Sequence, residues 1–508
     1  MPQIRALDIP FDRNTQVQVK INESDWFNYP SHFAMRRTVG DISQTFLCPE
    51  WNSGRCDEQA SVDLSSYFGT VLLPYCAGLS DEICIKSLVI RSSGGDVEKV
   101  KFVRSIAGPT HKGNAAIGLP AGGTISLFEA TQSDKGKGID GYAVYSSLEV
   151  SFDPALDKSV NFRNLDLRVT PYKILKGVYA QQTITARTDS SGVKGLGFSA
   201  FNEGNVWQEN GQAGVAVSFS TEDSVELTTD IPSSLSGWLG GRLSRVSFSE
   251  ERISPEINRL TVGGNPVSIG RVVANIARSN PPEYFRPQLE SNPKSSGLGY
   301  RGSNGQFKVL DAIRESAQDK NVGEEVRWAV EAYRNSTQRC LSGTNRLMGL
   351  VATNASVYDS VAPSFVDGTL NYKVAGLHYS SNGEVSKGQY DLVMRSETAR
   401  CLYGFTAAPI QASVSLLYEN GEVNVSTVAL SESKGWLHLG AYNFTFSSPV
   451  IAIKLIQNAS AALPRPTPTQ TAKIVPPSKV TVIICVKGKV VKKVSGVNPK
   501  CPAGYKKK

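Results

Sequence analysis

Eight cysteines, four histidines and a few acidic residues near aromatics are the side chains that could cross-link, ligate or catalyse. The cysteines are Cys48, Cys56, Cys76, Cys84, Cys340, Cys401, Cys485 and Cys501. Thiolate metal sites want spacings of about two to four residues with histidine support. Here the closest couples have seven residues between them, and none of His32, His111, His378 or His438 lies beside a cysteine. The expectation is no metal and no cofactor, with disulfide bonds instead. Eight cysteines admit on the order of a hundred pairings. The simplest pairs neighbours: 48–56, 76–84, 340–401 and 485–501. The first two would mainly pin hairpins, because small loops release little entropy. The last would staple a segment too short to hold a hydrophobic core of its own. Disulfides place a chain in an oxidising, extracellular compartment. The competing reading is eight buried free thiols in a cytosolic protein.

Catalytic motifs are scarce. Serine chemistry needs a strained elbow and a base within reach, and no G-x-S-x-G sequence is present. Neither is H-E-x-x-H nor a P-loop. His111 lies in a loop-like stretch, whereas His378 and His438 alternate with apolar neighbours as strand residues do. Gly297-Leu-Gly-Tyr-Arg-Gly302 matches a dinucleotide pattern, but a polar loop precedes it rather than a strand, so it reads as a glycine-rich loop. A glycosidase draws its two carboxylates from distant segments. Glu203, Glu209, Glu250 and Glu251, near Trp207 and Phe248, are the candidates, with exposed strand-edge charge as the simpler account. Trp26, Trp51, Trp207, Trp238, Trp328 and Trp436 could stack on sugars, but Trp238 and Trp436 sit in strand-like Gly-Trp-Leu contexts that favour the core.

Charge is confined to one place. The net charge of +8 includes nine lysines within 479–508, where there is no Asp, Glu or Arg; subtracting nine from eight leaves −1 for the rest. A neutral body gives no electrostatic support to nucleic-acid binding. In the tail, Lys487, Lys489, Lys492, Lys493, Lys500, Lys506, Lys507 and Lys508 are candidate polyanion-binding residues. Alternation in Val480-Thr-Val-Ile-Ile484, followed by Val490-Val491, predicts a stapled β-hairpin rather than the disordered tail that charge blocks usually make. Its partners would be anionic cell-wall polymers or lipid headgroups of the envelope, reached through salt-dependent attraction.

The elements that carry these residues are mostly strands. With 45 glycines and 26 prolines in 508 residues, the composition suits many short strands and turns. Tyr142–Phe152, Ala213–Leu227, Tyr390–Met394 and Ala412–Tyr418 are rich in Val, Ser, Thr and aromatics. Ile83–Ile90 and Val100–Val103 read as neighbouring strands across a Ser-Ser-Gly-Gly turn. The fold class expected is mainly β, with several β-sandwich-like domains in tandem and a short helical segment near 306–333. Phe307, Leu310, Ile313 and Ala317 form a helical stripe there, and the run from Val326 to Tyr333 is readable as helix or strand. The expected domains are 1–165, 166–289 and 339–457, with a loop and helical connector at 290–338. A Pro/Thr linker at 458–478 would hold a basic knob, 479–508, away from the body. Cys340 and Cys401 have an Ig-like separation, but no Trp lies between them and Ala399 stands where a tyrosine corner needs Tyr, which favours a generic sandwich. No run of about eighteen apolar residues suggests a membrane span. Met1-Pro-Gln-Ile-Arg lacks an apolar signal-peptide core, so the start is expected to be truncated or processed.

Three stretches resemble segments of large, uncharacterised secreted proteins of actinobacteria. They are Pro232–Leu243, then Met394–Phe405 with Gly435–Ser448, and the tail Cys485-Val-Lys-Gly-Lys followed by Asn498-Pro-Lys-Cys-Pro-Ala-Gly-Tyr-Lys-Lys-Lys508. The resemblance implies export and surface display, and brings no catalytic residue with it. The reading is a non-enzymatic secreted or wall-associated surface protein. The alternatives are an extracellular glycan-active enzyme and a carbohydrate-binding adhesin.

Overall fold

The computed structural model describes residues 12–21, 29–39, 42–48, 65–76, 82–188, 192, 194–199, 201–294, 297–298, 305–332, 336–343, 346–359, 362–405, 410–417, 423–425, 427–446, 450–457, 481–488, 490–496 and 499–508. The protein is mainly β, and its chain divides into two compact units, Met1–Ser460 and Ala461–Lys508. The expected 458–478 linker lies outside the described residues.

Long, paired strands frame the first unit. Gly141–Phe152 runs antiparallel to Asn161–Lys176, and Gly237–Arg252 runs antiparallel to Ile257–Ala277. Their inward residues alternate in the period of two that a half-buried strand requires. Leu148, Val150, Leu165 and Leu167 meet Leu88, Ile90, Leu227, Leu260 and Val262 in the largest core. The Ser92-Ser93-Gly94-Gly95 turn joins Ile85–Arg91 to Val97–Val100, with Gly94 at a φ of 75°. Beyond it, Phe102–Ser105 leaves that ladder for Ser126–Glu129.

The stretch 341–455 builds two facing layers of strands, one of which continues by a parallel ladder into Gly237–Arg252. One layer contains Leu347–Thr353, Lys387–Arg395, Trp436–Thr445 and Thr427–Ser433. The other contains Thr369–Ala375, Val450–Gln457 and Ile410–Leu417. Tyr372, Tyr390, Leu392, Leu439, Ile451 and Ile453 fill the space between them. Cys340 and Cys401 are bonded with Cα atoms 5.8 Å apart.

Hydrogen-bonded ladders cross the boundaries expected within 1–338. Position 165 falls inside Asn161–Lys176. Ile85–Arg91 pairs with Ser224–Pro232, and Gln16–Ile21 pairs with Ile257–Ala277. The helical expectation near 306–333 holds only for Gly305–Ile313, where Phe307, Leu310 and Ile313 are buried. Gly323–Ala332 is a strand, one of the two alternatives left open for Val326 to Tyr333. Its partners explain why: it ladders with Asn161–Lys176, Gly237–Arg252 and Ile257–Ala277. β-branched Val326 and Val330 with Trp328 satisfy that pleated environment, and three sets of backbone partners override a weak local helix preference.

Candidate functional site: a stapled cationic sheet

The second unit is a three-stranded antiparallel sheet of Thr481–Lys487, Val490–Gly496 and Lys506–Lys507, with the first strand central. Lys487 pairs with Val490 across a two-residue turn, and Gly488 there has a φ of 59°, as a tight hairpin demands. Cys485 is fully buried and bonded to Cys501, with Cα atoms 5.6 Å apart. The hairpin and its staple follow the expectation. The third strand does not, because two consecutive lysines carry no strand signal.

Register sorts the lysines onto two faces, since residues directly opposite each other point the same way. Cys485 lies opposite Lys492 on one side and Lys507 on the other. That face is partly covered by the disulfide and by Tyr505, over whose ring the Lys492 Nζ sits at 5.5 Å. The reverse face is open. One row across it reads Lys493, Ile484, Lys508, because the Lys508 N–H donates to the Ile484 carbonyl at 2.8 Å. The next row reads Val491, Val486, Lys506. Ile484 and Val491 are 38% and 59% exposed, so this face offers hydrocarbon between cations.

All seven described lysines of the group, Lys487, Lys492, Lys493, Lys500, Lys506, Lys507 and Lys508, are exposed; Lys489 lies outside the described residues. No Asp or Glu in 479–508 can neutralise them. Cations two strands apart stand about 10 Å from each other. That is close to the Debye length of about 8 Å at physiological salt, so their fields overlap.

No protein-family model matches this chain, and neither a curated protein nor a solved structure gives a match. Function must be read from the residues themselves.

The other candidates fall as follows. Cys76 and Cys84 are bonded, as neighbour pairing predicts, with Cα atoms 5.5 Å apart. Cys48 is disulfide-bonded, and Cys56 lies outside the described residues. Among the described residues there is no free cysteine and no cluster of His, Cys, Asp and Glu suited to a metal. Glu209 receives both Arg104 guanidinium nitrogens at 2.8 Å. Burial opposes its ionisation, but Arg104 and the Ala107 N–H outweigh burial and hold its pKa below the usual carboxylate range. Glu250 is bound by Arg395 and by the Asn258 amide, yet burial still pushes its pKa up. These two carboxylates therefore serve separate arginines, Glu209 from Asn205–Glu209 and Glu250 from Gly237–Arg252. Glu203 and Glu251 are exposed. Trp207, Trp238, Trp328 and Trp436 are buried in cores, while Trp26 and Trp51 lie outside the described residues. Gly297–Leu298 forms a short parallel pairing with Gln16–Ile21, and no strand immediately precedes it among the described residues.

Proposed function

We propose that this chain is a non-enzymatic secreted or wall-associated surface protein whose C-terminal unit holds anionic polymers of the cell envelope. The observation that carries the reading is the open face of the stapled sheet, where Lys493, Lys506 and Lys508 surround exposed hydrocarbon without any acid in the segment. The disulfides at 76–84, 340–401 and 485–501 support an oxidising compartment. Resemblance of the tail to actinobacterial surface proteins supports the same location.

The test compares the full chain with a K493Q/K506Q/K508Q variant for binding to purified cell walls at low and high salt. An exposed lysine near an anionic surface contributes about 1 kcal/mol, so the triple change should weaken binding up to about 150-fold. Wild-type binding should fall steeply with salt. Salt-insensitive binding, or equal binding by the variant, would overturn the reading.

A further inference from the structure

The first unit contains a cleft that no local motif announced. The strand His32–Val39 lies between Ile42–Leu47 and Ser65–Leu72, and the latter pairs onward with Gly141–Phe152. One face of these strands carries Phe33, Met35, Tyr67, Leu148 and Val150 into the largest core. The other face carries Arg36, Thr45, Phe68, Thr70, Glu149 and Ser151, placed side by side by the pairings Arg36 with Thr45, Phe68 with Ser151 and Thr70 with Glu149. A solvent face with such alternation is ordinary. This one is concave. Leu196 and Phe198 of the hairpin Ile184–Thr188 and Lys194–Phe198 overhang it, enclosing about 500 Å³.

Its lining has a definite chemical character. Phe198 packs edge-on to Tyr29 at 5.5 Å and tilts against His32 at 4.8 Å, making an aromatic wall. Arg36 is held over the Phe68 ring at 4.8 Å. Arg163 is fixed through Nε to the Ser151 hydroxyl at 2.6 Å and lines the cleft. Neither arginine makes an ion pair among the described residues. They stand on strands three places apart and are offset along them by the register, so their backbones are separated by more than about 14 Å. Between them lie the short hydroxyl groups of Thr70 and Ser151 and the Glu149 carboxylate, an acceptor for sugar hydroxyls that repels anionic groups and so leaves those to the two arginines.

We propose that this cleft binds an acidic oligosaccharide, its sugar faces against the aromatic wall and its anionic groups at Arg36 and Arg163. A guanidinium matches carboxylate and phosphate alike through parallel N–H donors, so uronic acids and sugar phosphates share the required chemistry. The separation of the two arginines fits an extended chain better than a single small anion. Aromatic walls with a few fixed polar groups are the general form of such pockets. This inference stands apart from the cationic sheet of the second unit, and its test keeps the two separate.

Full-length protein is titrated calorimetrically with trigalacturonate, with a phosphorylated maltotriose and with neutral maltotriose. At least one acidic probe should bind, and either Arg36→Gln or Arg163→Gln should weaken it by roughly tenfold or more, as loss of a charged hydrogen bond implies. The K493Q/K506Q/K508Q variant should bind that probe within about twofold of wild type, because those lysines lie outside the cleft's lining. Both arginines are exposed, so thermal midpoints of the arginine variants should match wild type. The proposal fails if neither acidic probe binds, if maltotriose binds equally well, or if the arginine variants are indifferent. It also fails if binding is lost in the lysine variant instead.

Discussion

Removing the Cys485–Cys501 bond should unfold the C-terminal unit while leaving the larger unit intact. Among the described residues of that unit, only Ile483 and Cys485 are buried hydrophobics. A core that small cannot hold a compact structure: even domains of about 70 residues draw only some 3–5 kcal/mol from their cores. The bond closes a loop with a sequence separation of 16. Loop-closure entropy assigns such a cross-link about 3 kcal/mol. Its loss therefore removes most of the stability available. In a Cys485→Ala/Cys501→Ala variant of the full chain, amides of Thr481–Lys487 and Val490–Gly496 should lose protection against hydrogen exchange by roughly 150-fold. Amides of Gly141–Phe152 should be unchanged, because those residues belong to the other unit. A loss smaller than about tenfold would refute the reasoning, since the sheet would then stand on packing alone.

Two buried histidines predict an acid-labile larger unit. His32 and His111 are 6% and 7% exposed, and burial holds both pKa values below the ordinary one near 6.5. The unfolded chain therefore takes up protons first: stability is full above about pH 6.5 and falls below it, by up to about 1.4 kcal/mol per pH unit for each histidine. Urea denaturation should show a shallower decline over that window in the His32→Gln/His111→Gln variant than in wild type. Asp391 has the opposite sign. Burial pushes its pKa up to about 6 against the bond from Tyr442, so its contribution is present below about pH 3.8 and lost as pH rises through 6. Asp391→Asn should abolish a gain of about 2 kcal/mol on acidification, measured as the difference in unfolding free energy between pH 7 and pH 4. Trp238→Phe should cost about 1–3 kcal/mol in thermal unfolding, because the Leu341 carbonyl loses its buried indole donor at 2.8 Å. Gly349→Ala should cost a similar amount: its Cβ would stand 2.2 Å from the Val393 carbonyl oxygen and 2.6 Å from the Trp238 ring.

Local signals were legible where local physics decides. Enrichment in Val, Ser, Thr and aromatics marked Tyr142–Phe152 and Tyr390–Met394, which lie in the strands Gly141–Phe152 and Lys387–Arg395, and the glycine turn at 92–95 located the hairpin around it. Pairing neighbouring cysteines identified the three bonds 76–84, 340–401 and 485–501. Strand identity at Gly323–Ala332 was not decidable, since its apolar residues fit either period and its three ladders come from distant sequence. Ala213–Leu227 read as one run, but it breaks into Gln212–Ala216 and Ser224–Pro232. In the cationic sheet the lysines were visible, but the apolar content of its open face required the register. The saccharide cleft was invisible because Tyr29, Arg36, Phe68, Arg163 and Phe198 come from four segments with no motif among them.

The sharing of long strands has a consequence for dissection and folding. Gly237–Arg252 bonds at different points to Ile257–Ala277, Gly323–Ala332 and Leu347–Thr353. A gene cut near 165, 289 or 338 would leave each fragment with bare edges and half a core, a prescription for aggregation. Most of these pairings join positions far apart along the chain. Loop-closure entropy must therefore be met before the contacts form, which makes folding slow and unfolding of the larger unit concerted. A strand knitted in this way resists piecemeal opening, because Gly237–Arg252 cannot come away without parting three ladders at once.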